Sequence, residues 1–118
     1  MARKTPFYAM TIYQGANLTL PLTWKDSAGA AIDVTGYSAR LVARQNTVDD
    51  PILMDLTSGA GTIVVGTTDG LFTITMTAAQ TAALDFDQAN YQMEVTSGSG
   101  YVTRLLQGTV TLSKGLVV

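Results

Sequence analysis

Apolar and polar residues alternate with a period of two along much of this chain, which is the pattern of half-buried β-strands. Residues 18–24 show it most clearly, because three leucines and Trp24 fall on one face and threonines and a proline fall on the other. Proline cannot donate a ladder hydrogen bond. Pro21 therefore predicts that this strand lies at the edge of a sheet or carries a bulge.

The same alternation recurs in residues 37–45, where Arg40, Val42 and Arg44 share the polar face. Asp69-Gly70 separates two runs rich in β-branched residues, which is a hairpin signal. The apolar phase shifts across Gly108, and this shift predicts a β-bulge at that glycine. Further strands are predicted at residues 7–13, 52–56, 62–66, 71–77, 91–96 and 101–112, and residues 31–34 are predicted to be a short extended piece.

A single helical signal runs from residue 77 to residue 84. Thr77 is a candidate N-cap with Gln80 three residues later, as in a capping box. We expect this short helix to cross between the sheets at one end of a sandwich. Seven or eight short strands separated by regular turns predict an all-β sandwich or barrel. We expect one domain over residues 1–118, with residues 1–6 as a flexible N-terminal arm.

Composition narrows the range of functions. The 118 residues include no histidine and no cysteine, and the carboxylates are eight aspartates and Glu94 alone. Histidine and cysteine carry most acid–base, nucleophilic and transition-metal chemistry near neutral pH. We therefore expect a protein that is not an enzyme and that needs no cofactor and no metal. Charged residues make up only 14% of the chain, which suits a surface that packs against partners.

Other classes of partner are also disfavoured by the sequence. The seven lysines and arginines form no basic stripe, so we expect no nucleic-acid binding. No apolar run approaches the roughly 20 residues of a membrane helix, so we expect no membrane insertion. No secretory leader is evident, and we expect synthesis in a bacterial host cytoplasm.

Carboxylate pairs and Trp24 are the candidates for a ligand site. Asp49-Asp50 and Asp85-x-Asp87 supply too few oxygens for a calcium cage, and we interpret them as loop and turn residues. A pair of carboxylates also permits glycosidase chemistry at a suitable spacing, but few aromatic residues are present to form a sugar platform. Trp24 shares the phase of the leucines before it, so we expect it to face the core.

Exposed tyrosines and arginines are the candidates for a protein interface. Tyrosine and arginine are enriched at interfaces and at their hot spots. Arg104 lies in a less regular stretch, where an inward position paired with an aspartate is an alternative. The interface candidates are Tyr8, Tyr13, Arg40, Val42, Arg44 and Tyr101.

Three stretches of the chain together resemble small immunoglobulin-like structural proteins of tailed bacteriophages, and they are similar to the N-terminal domain of phage baseplate upper proteins. The resemblance implies an immunoglobulin-like β-sandwich without catalytic residues. Asp33 and Thr35-Gly36, within the first stretch, suit an Asx-type turn. The stretches are YQGANLTLPLTWKDSAGAAIDVTGY at 13–37, LFTITMTAAQTAAL at 71–84, and YQMEV at 91–95 followed by VTRLLQGTV at 102–110.

The resemblance and the composition together predict a structural component of a virion. We expect a tail or baseplate adaptor that docks other phage virion proteins, namely tail, baseplate, fibre or capsid subunits. Several copies are expected, and a homo-oligomer is left open. A head decoration protein is the alternative within this class. A carbohydrate-binding module is the alternative outside it.

Overall fold

The computed structural model describes residues 7–47 and 49–114, in which eight strands and one helix form a β-sandwich. The predicted arm, residues 1–6, lies outside the described residues. The elements are β1 (Met10–Tyr13), β2 (Leu18–Thr23), β3 (Ser38–Arg44), β4 (Met54–Thr57), β5 (Ile63–Val65), β6 (Leu71–Met76), α1 (Ala78–Ala82), β7 (Gln88–Thr96) and β8 (Val102–Ser113).

The strands are divided between a five-stranded and a three-stranded sheet. The larger sheet has the order β1-β8-β7-β3-β4 and the smaller one has the order β2-β6-β5. All pairings are antiparallel except that of β1 with β8, which is parallel. This division of strands is that of an immunoglobulin-type sandwich, with β4 added at the edge of the larger sheet as in variable-type domains. The predicted fold class is confirmed.

The core lies between the sheets and is filled by every second residue of each strand. Leu41, Met93 and Val110 of the larger sheet meet Phe72 and Ile74 of the smaller sheet, and all five are fully buried. The predicted alternation in β3 is confirmed, since its alanines and leucine point inward. The other face of β3 is therefore left to Arg40, Val42 and Arg44.

Helix α1 carries the chain from the smaller sheet to the larger one. Its capping box is complete, because Thr77 Oγ1 accepts from the Gln80 N–H at 3.2 Å and Gln80 Oε1 accepts from the Thr77 N–H at 2.8 Å. The helix is only five residues long, too short to be stable alone. The buried Thr81 hydroxyl ties it to the β1–β2 turn, where it accepts from the Gly15 N–H at 3.0 Å.

The first predicted strand, residues 7–13, is longer than the strand in the structure. The regular part of β1 begins at Met10, although the Phe7–Gln107 bridge extends its pairing toward the N-terminus. The short extended piece at 31–34 pairs with the segment just after β2 through one bridge, between Ala31 and Lys25, and through the Ile32 N–H, which donates to the backbone oxygen of Trp24 at 3.0 Å.

The predicted bulge at Gly108 is wrong. Gly108 pairs in register with Tyr91, and the register shift lies at the level of Met93 and Glu94, where Leu105 is the extra residue on β8. Gly108 is instead a point of close approach. A Cβ atom at this position would overlap the carbonyl oxygen of Tyr8, so only glycine leaves room for the chain to pass there.

Charge is distributed unequally between the two sheets. The three strands of the smaller sheet contain no charged residue. The charged residues within strands all belong to the larger sheet, at Arg40, Arg44, Asp55, Glu94 and Arg104. Arg104 is exposed and faces Glu94 across the ladder. The alternative of an inward Arg104 paired with an aspartate is therefore wrong.

A candidate interaction surface on the five-stranded sheet

Three of the six interface candidates, Arg40, Val42 and Arg44, lie together on the outer face of the larger sheet. They line a shallow groove of about 470 Å³. The register of the sheet continues the row from Val42 through Gln92 and Gln107 to Phe7. The groove therefore has an apolar side chain at each end and amide side chains between them.

Arg40 borders the groove on the side of the edge strand β4. Its Nε donates to Asp55 Oδ1 at 3.0 Å and its Nη2 donates to Asp55 Oδ2 at 2.8 Å. These hydrogen bonds hold the pKa of Asp55 below its usual value. Both side chains remain well exposed, at 55% and 38%. The fork therefore orients the guanidinium without removing it from the surface, and Glu94 lies directly across from it on β7.

Arg44 lies on the other side of Val42 from Arg40, beside the loop after β3. Its Nη1 donates to the backbone oxygen of Asp50 at 2.9 Å. The Asp50 carboxylate in turn accepts from the N–H groups of Thr47 at 3.0 Å and Asn46 at 2.8 Å. These backbone hydrogen bonds lower the pKa of Asp50. Asn90 Nδ2 also donates to the backbone oxygen of Gln45 at 2.6 Å. Several hydrogen bonds therefore hold the loop after β3, which forms one wall of the groove.

Phe7 is positioned at the far end of the groove by contacts of its neighbour Tyr8. The Tyr8 N–H donates to the Gln107 oxygen at 2.8 Å. The backbone oxygen of Tyr8 accepts a hydrogen bond from the hydroxyl of Tyr91 at 2.6 Å, next to Gly108, where the absence of a side chain leaves room. Burial raises the pKa of Tyr91, and the nearby Tyr8 adds to this shift. Phe7 itself remains 68% exposed and is available to a partner.

The remaining candidates do not belong to the groove. Tyr13 and Tyr101 are 64% and 74% exposed, but they lie near opposite ends of the larger sheet. The β8 span that separates them, Val102–Ser113, has 12 residues and is about 40 Å long at roughly 3.3 Å per residue. Tyr8 is 40% exposed and contributes mainly through its backbone.

Sequence reasoning missed Phe7 and the amide row. The alternation in β7 placed Gln92 on the outer face, but the row exists only because β8 and the Phe7 segment pair beside it. Local sequence patterns do not predict which strands lie next to each other in a sheet. Phe7 carried a weaker signal, because an aromatic residue begins the predicted strand.

The other candidate sites take structural positions. Trp24 packs edge-on against Tyr37, with ring centroids 6.0 Å apart, and contacts the core as expected. Asp85 and Asp87 both lie 3.9 Å from Lys114 Nζ. Among residues 7–47 and 49–114, no three potential ligands gather into a metal site.

Acid should reduce the stability that Asp50 gives to the loop after β3, which borders the groove. The pKa of Asp50 is lowered in the folded chain, so its charge favours folding above the unfolded value near 3.9. That contribution is lost as the pH falls through the lower, folded value. Thermal unfolding followed by circular dichroism from pH 7 to pH 2.5 should show a smaller acid-induced fall in Tm for Asp50→Asn than for wild type. Asp49→Asn is the control, and an equal fall in all three proteins would contradict the assignment.

Two comparisons with known proteins did not identify a relative of this chain. A scan against protein-family models finds no match to this chain, and a search of curated proteins finds none either. In the part of the chain that the structure describes, no helix has the length and apolar character needed to span a membrane. A functional proposal therefore rests on the fold, the groove and the sequence resemblance described above.

Proposed function

We propose that this chain is a non-enzymatic structural component of a bacteriophage virion, a tail or baseplate adaptor that docks other virion proteins. The observation that carries the proposal is the groove on the outer face of the five-stranded sheet. It combines two arginines, Glu94, two apolar side chains and a row of amides on an immunoglobulin-like frame. The resemblance to phage structural proteins supplies the setting, and the lack of histidine and cysteine supports the non-enzymatic role.

Docking in this groove follows from its chemistry. Val42 and Phe7 offer apolar contacts at its two ends, and the amides of Gln92 and Gln107 offer donors and acceptors between them. Arginine is a frequent hot-spot residue, and a guanidinium has five N–H donors, of which the fork to Asp55 uses two on Arg40. Amides cost less to desolvate than full charges. The fitting partner is thus a surface with acidic or carbonyl-rich edges and one or two apolar side chains.

Immunogold labelling of intact particles of the phage that encodes the chain tests the location. Label along the tail or at its tip is the expected result and directs the search to baseplate and fibre partners. Label on the head would replace the adaptor by a decoration protein. A complete particle without label would overturn the virion role, and binding of oligosaccharides would be tested next.

Substitution of Val42 by glutamate tests the groove itself. The new carboxylate would lie between Arg40 and Arg44, which attract it, and opposite Asp55 on β4, which repels it. We expect these effects to offset each other, so that the fold tolerates the substitution. It would also occupy the guanidinium groups and remove an apolar contact. We expect at least tenfold fewer copies of Val42→Glu in assembled particles, which corresponds to about 1.4 kcal/mol of binding.

The matched control is Thr23→Glu, which adds the same charge to an exposed position of the smaller sheet. It should enter particles as wild type does. Equal incorporation of Val42→Glu and wild type, with an unchanged Tm, would show that docking uses another face.

A further inference from the structure

Two open sheets give this sandwich four edge strands, β1 and β4 in the larger sheet and β2 and β5 in the smaller one. An exposed edge carries unpaired N–H and C=O groups that can pair with another chain. Proteins commonly protect edges with proline, charge or a very short strand. Within residues 7–47 and 49–114, three of the four edges carry such a device, and β1 does not.

The β2 edge is protected by Pro21. The Trp24 N–H donates to the Gly70 oxygen at 2.8 Å, so the even-numbered residues of β2 direct their backbone groups toward β6. The odd-numbered ones, Pro21 among them, direct theirs toward the open edge. The N–H that Pro21 lacks is therefore one that a second chain would need.

The β4 and β5 edges are protected in other ways. The exposed Asp55 lies in the middle of β4, held in its fork with Arg40, and places charge along that edge. Strand β5 has only three residues, which offers a partner too little length for pairing. Both devices are among those that natural sheets use against edge-to-edge association.

The β1 edge has the opposite character. Its pairing with β8 extends from the Phe7 bridge to the Gln14 N–H, which donates to the Ser113 oxygen at 2.9 Å. Residues 7–13, FYAMTIY, contain no charge, no proline and no glycine. Such a segment, rich in aromatic and β-branched residues, has the composition that pairs readily between chains. Phe7 and Tyr13 are both more than 60% exposed.

The N–H groups available on this edge belong to the odd-numbered residues, whereas the backbone oxygen of Tyr13 already accepts from the Ala16 N–H at 3.1 Å. Tyr8 and Gln14 donate their N–H groups to β8. Because backbone N–H groups alternate in direction along a strand, the N–H groups of Ala9, Thr11 and Tyr13 point away from the sheet. Their side chains lie on the same outer face, since Met10 and Ile12 are buried.

We propose that β1 pairs antiparallel with β1 of a second copy of this chain, which joins two five-stranded sheets into one of ten strands. Thr11 lies at the centre of the available groups, so an axis through it places Ala9 opposite Tyr13 of the other copy. The small alanine then leaves room for the tyrosine ring, and no charge opposes its own copy across the axis. The pairing follows from the edge alone and does not depend on the proposed virion role.

The contact is a strip one strand wide. It buries less than the roughly 1,600 Å² of a standard interface, so we expect a dimer that dissociates at a concentration on the order of 100 µM. Sedimentation equilibrium at concentrations up to about five times that value should detect it. A wild-type chain that is monomeric throughout would overturn the proposal, and a heterologous strand would then be the remaining occupant of this edge.

Disulfide formation by a single introduced cysteine tests the pairing of the two β1 strands directly, because the chain has no cysteine of its own. In a hydrogen-bonded antiparallel pair the opposed Cα atoms are about 5.5 Å apart, within the range of a disulfide. We expect Thr11→Cys to form a covalent dimer on mild oxidation at least tenfold faster than Thr19→Cys, an equally exposed control on the smaller sheet. Equal rates would overturn the proposed axis.

Substitution of Thr11 by lysine supplies the converse test. Two like charges would face each other across the axis, and we expect dimerisation at least tenfold weaker than wild type. Thr19→Lys should dimerise normally. Unchanged dimerisation of Thr11→Lys would overturn the β1 contact. Because these experiments use the isolated chain, a failure here leaves the immunogold result intact, and the reverse also holds.

Discussion

Gly108→Ala should destabilise this protein by about 3–5 kcal/mol, the largest effect we expect from a single added methyl group. The new Cβ would overlap backbone atoms of Tyr8, its carbonyl oxygen above all. Backbone cannot move aside as the end of a flexible side chain can. The chain at Phe7 and Tyr8 would have to separate from β8, and the hydrogen bond from the Tyr91 hydroxyl would be lost with it. Urea unfolding at pH 7 measures the change in the free energy of unfolding.

Gly59→Ala is the matched control, because a Cβ there meets nothing within 4 Å. It should change the free energy of unfolding by no more than about 0.5 kcal/mol. A second comparison is Tyr91→Phe, which should cost about 1 kcal/mol in wild type but little in the Gly108→Ala background. A cost below about 1 kcal/mol for Gly108→Ala would contradict the close approach of Tyr8.

Thr81→Val should destabilise the protein by about 2 kcal/mol. Valine keeps the shape of threonine and removes the hydroxyl, which is fully buried. That hydroxyl accepts from the Gly15 N–H at 3.0 Å and donates to the Ala16 oxygen at 2.9 Å or to the Ala78 oxygen at 3.1 Å. Without it, the β1–β2 turn loses its link to α1 and leaves backbone groups unpaired.

Thr81→Ser provides the control for this prediction, since serine keeps the hydroxyl and loses only a methyl group. We expect it to cost about 1 kcal/mol or less, measured by the same urea titration. A valine variant as stable as the serine variant would show that packing, and not the hydrogen bonds, holds the helix to the turn.

The elements that sequence reasoning predicted well are those whose signal is local. The alternation in residues 37–45 and the capping box of Thr77 and Gln80 each depend on residues within a few positions of one another. Pro21 was predicted at an edge or a bulge for the same kind of reason, and β2 is an edge strand. In each case one or two physical rules decide the structure without reference to the rest of the chain.

The errors arose where distant segments meet. The local phase shift at Gly108 predicts a bulge, yet the position requires glycine because the backbone of Tyr8, one hundred residues away in sequence, passes close to it. Arg104 faces outward because Leu105 is the extra residue of the real bulge. The same limit applies to the groove. Arg40, Val42 and Arg44 were predicted to share a face, whereas the row that joins them to Phe7 depends on strand order.

Because the two sheets differ in charge, the salt dependence of binding can show which sheet a partner of this protein contacts. At 1 M salt the screening length falls to about 3 Å, so contacts through the arginines of the larger sheet should weaken as sodium chloride is added. The smaller sheet carries no charge in its strands, and contacts through it should resist sodium chloride and strengthen in sulfate, which favours apolar burial. A salt titration would thus report which side of the sandwich a partner covers.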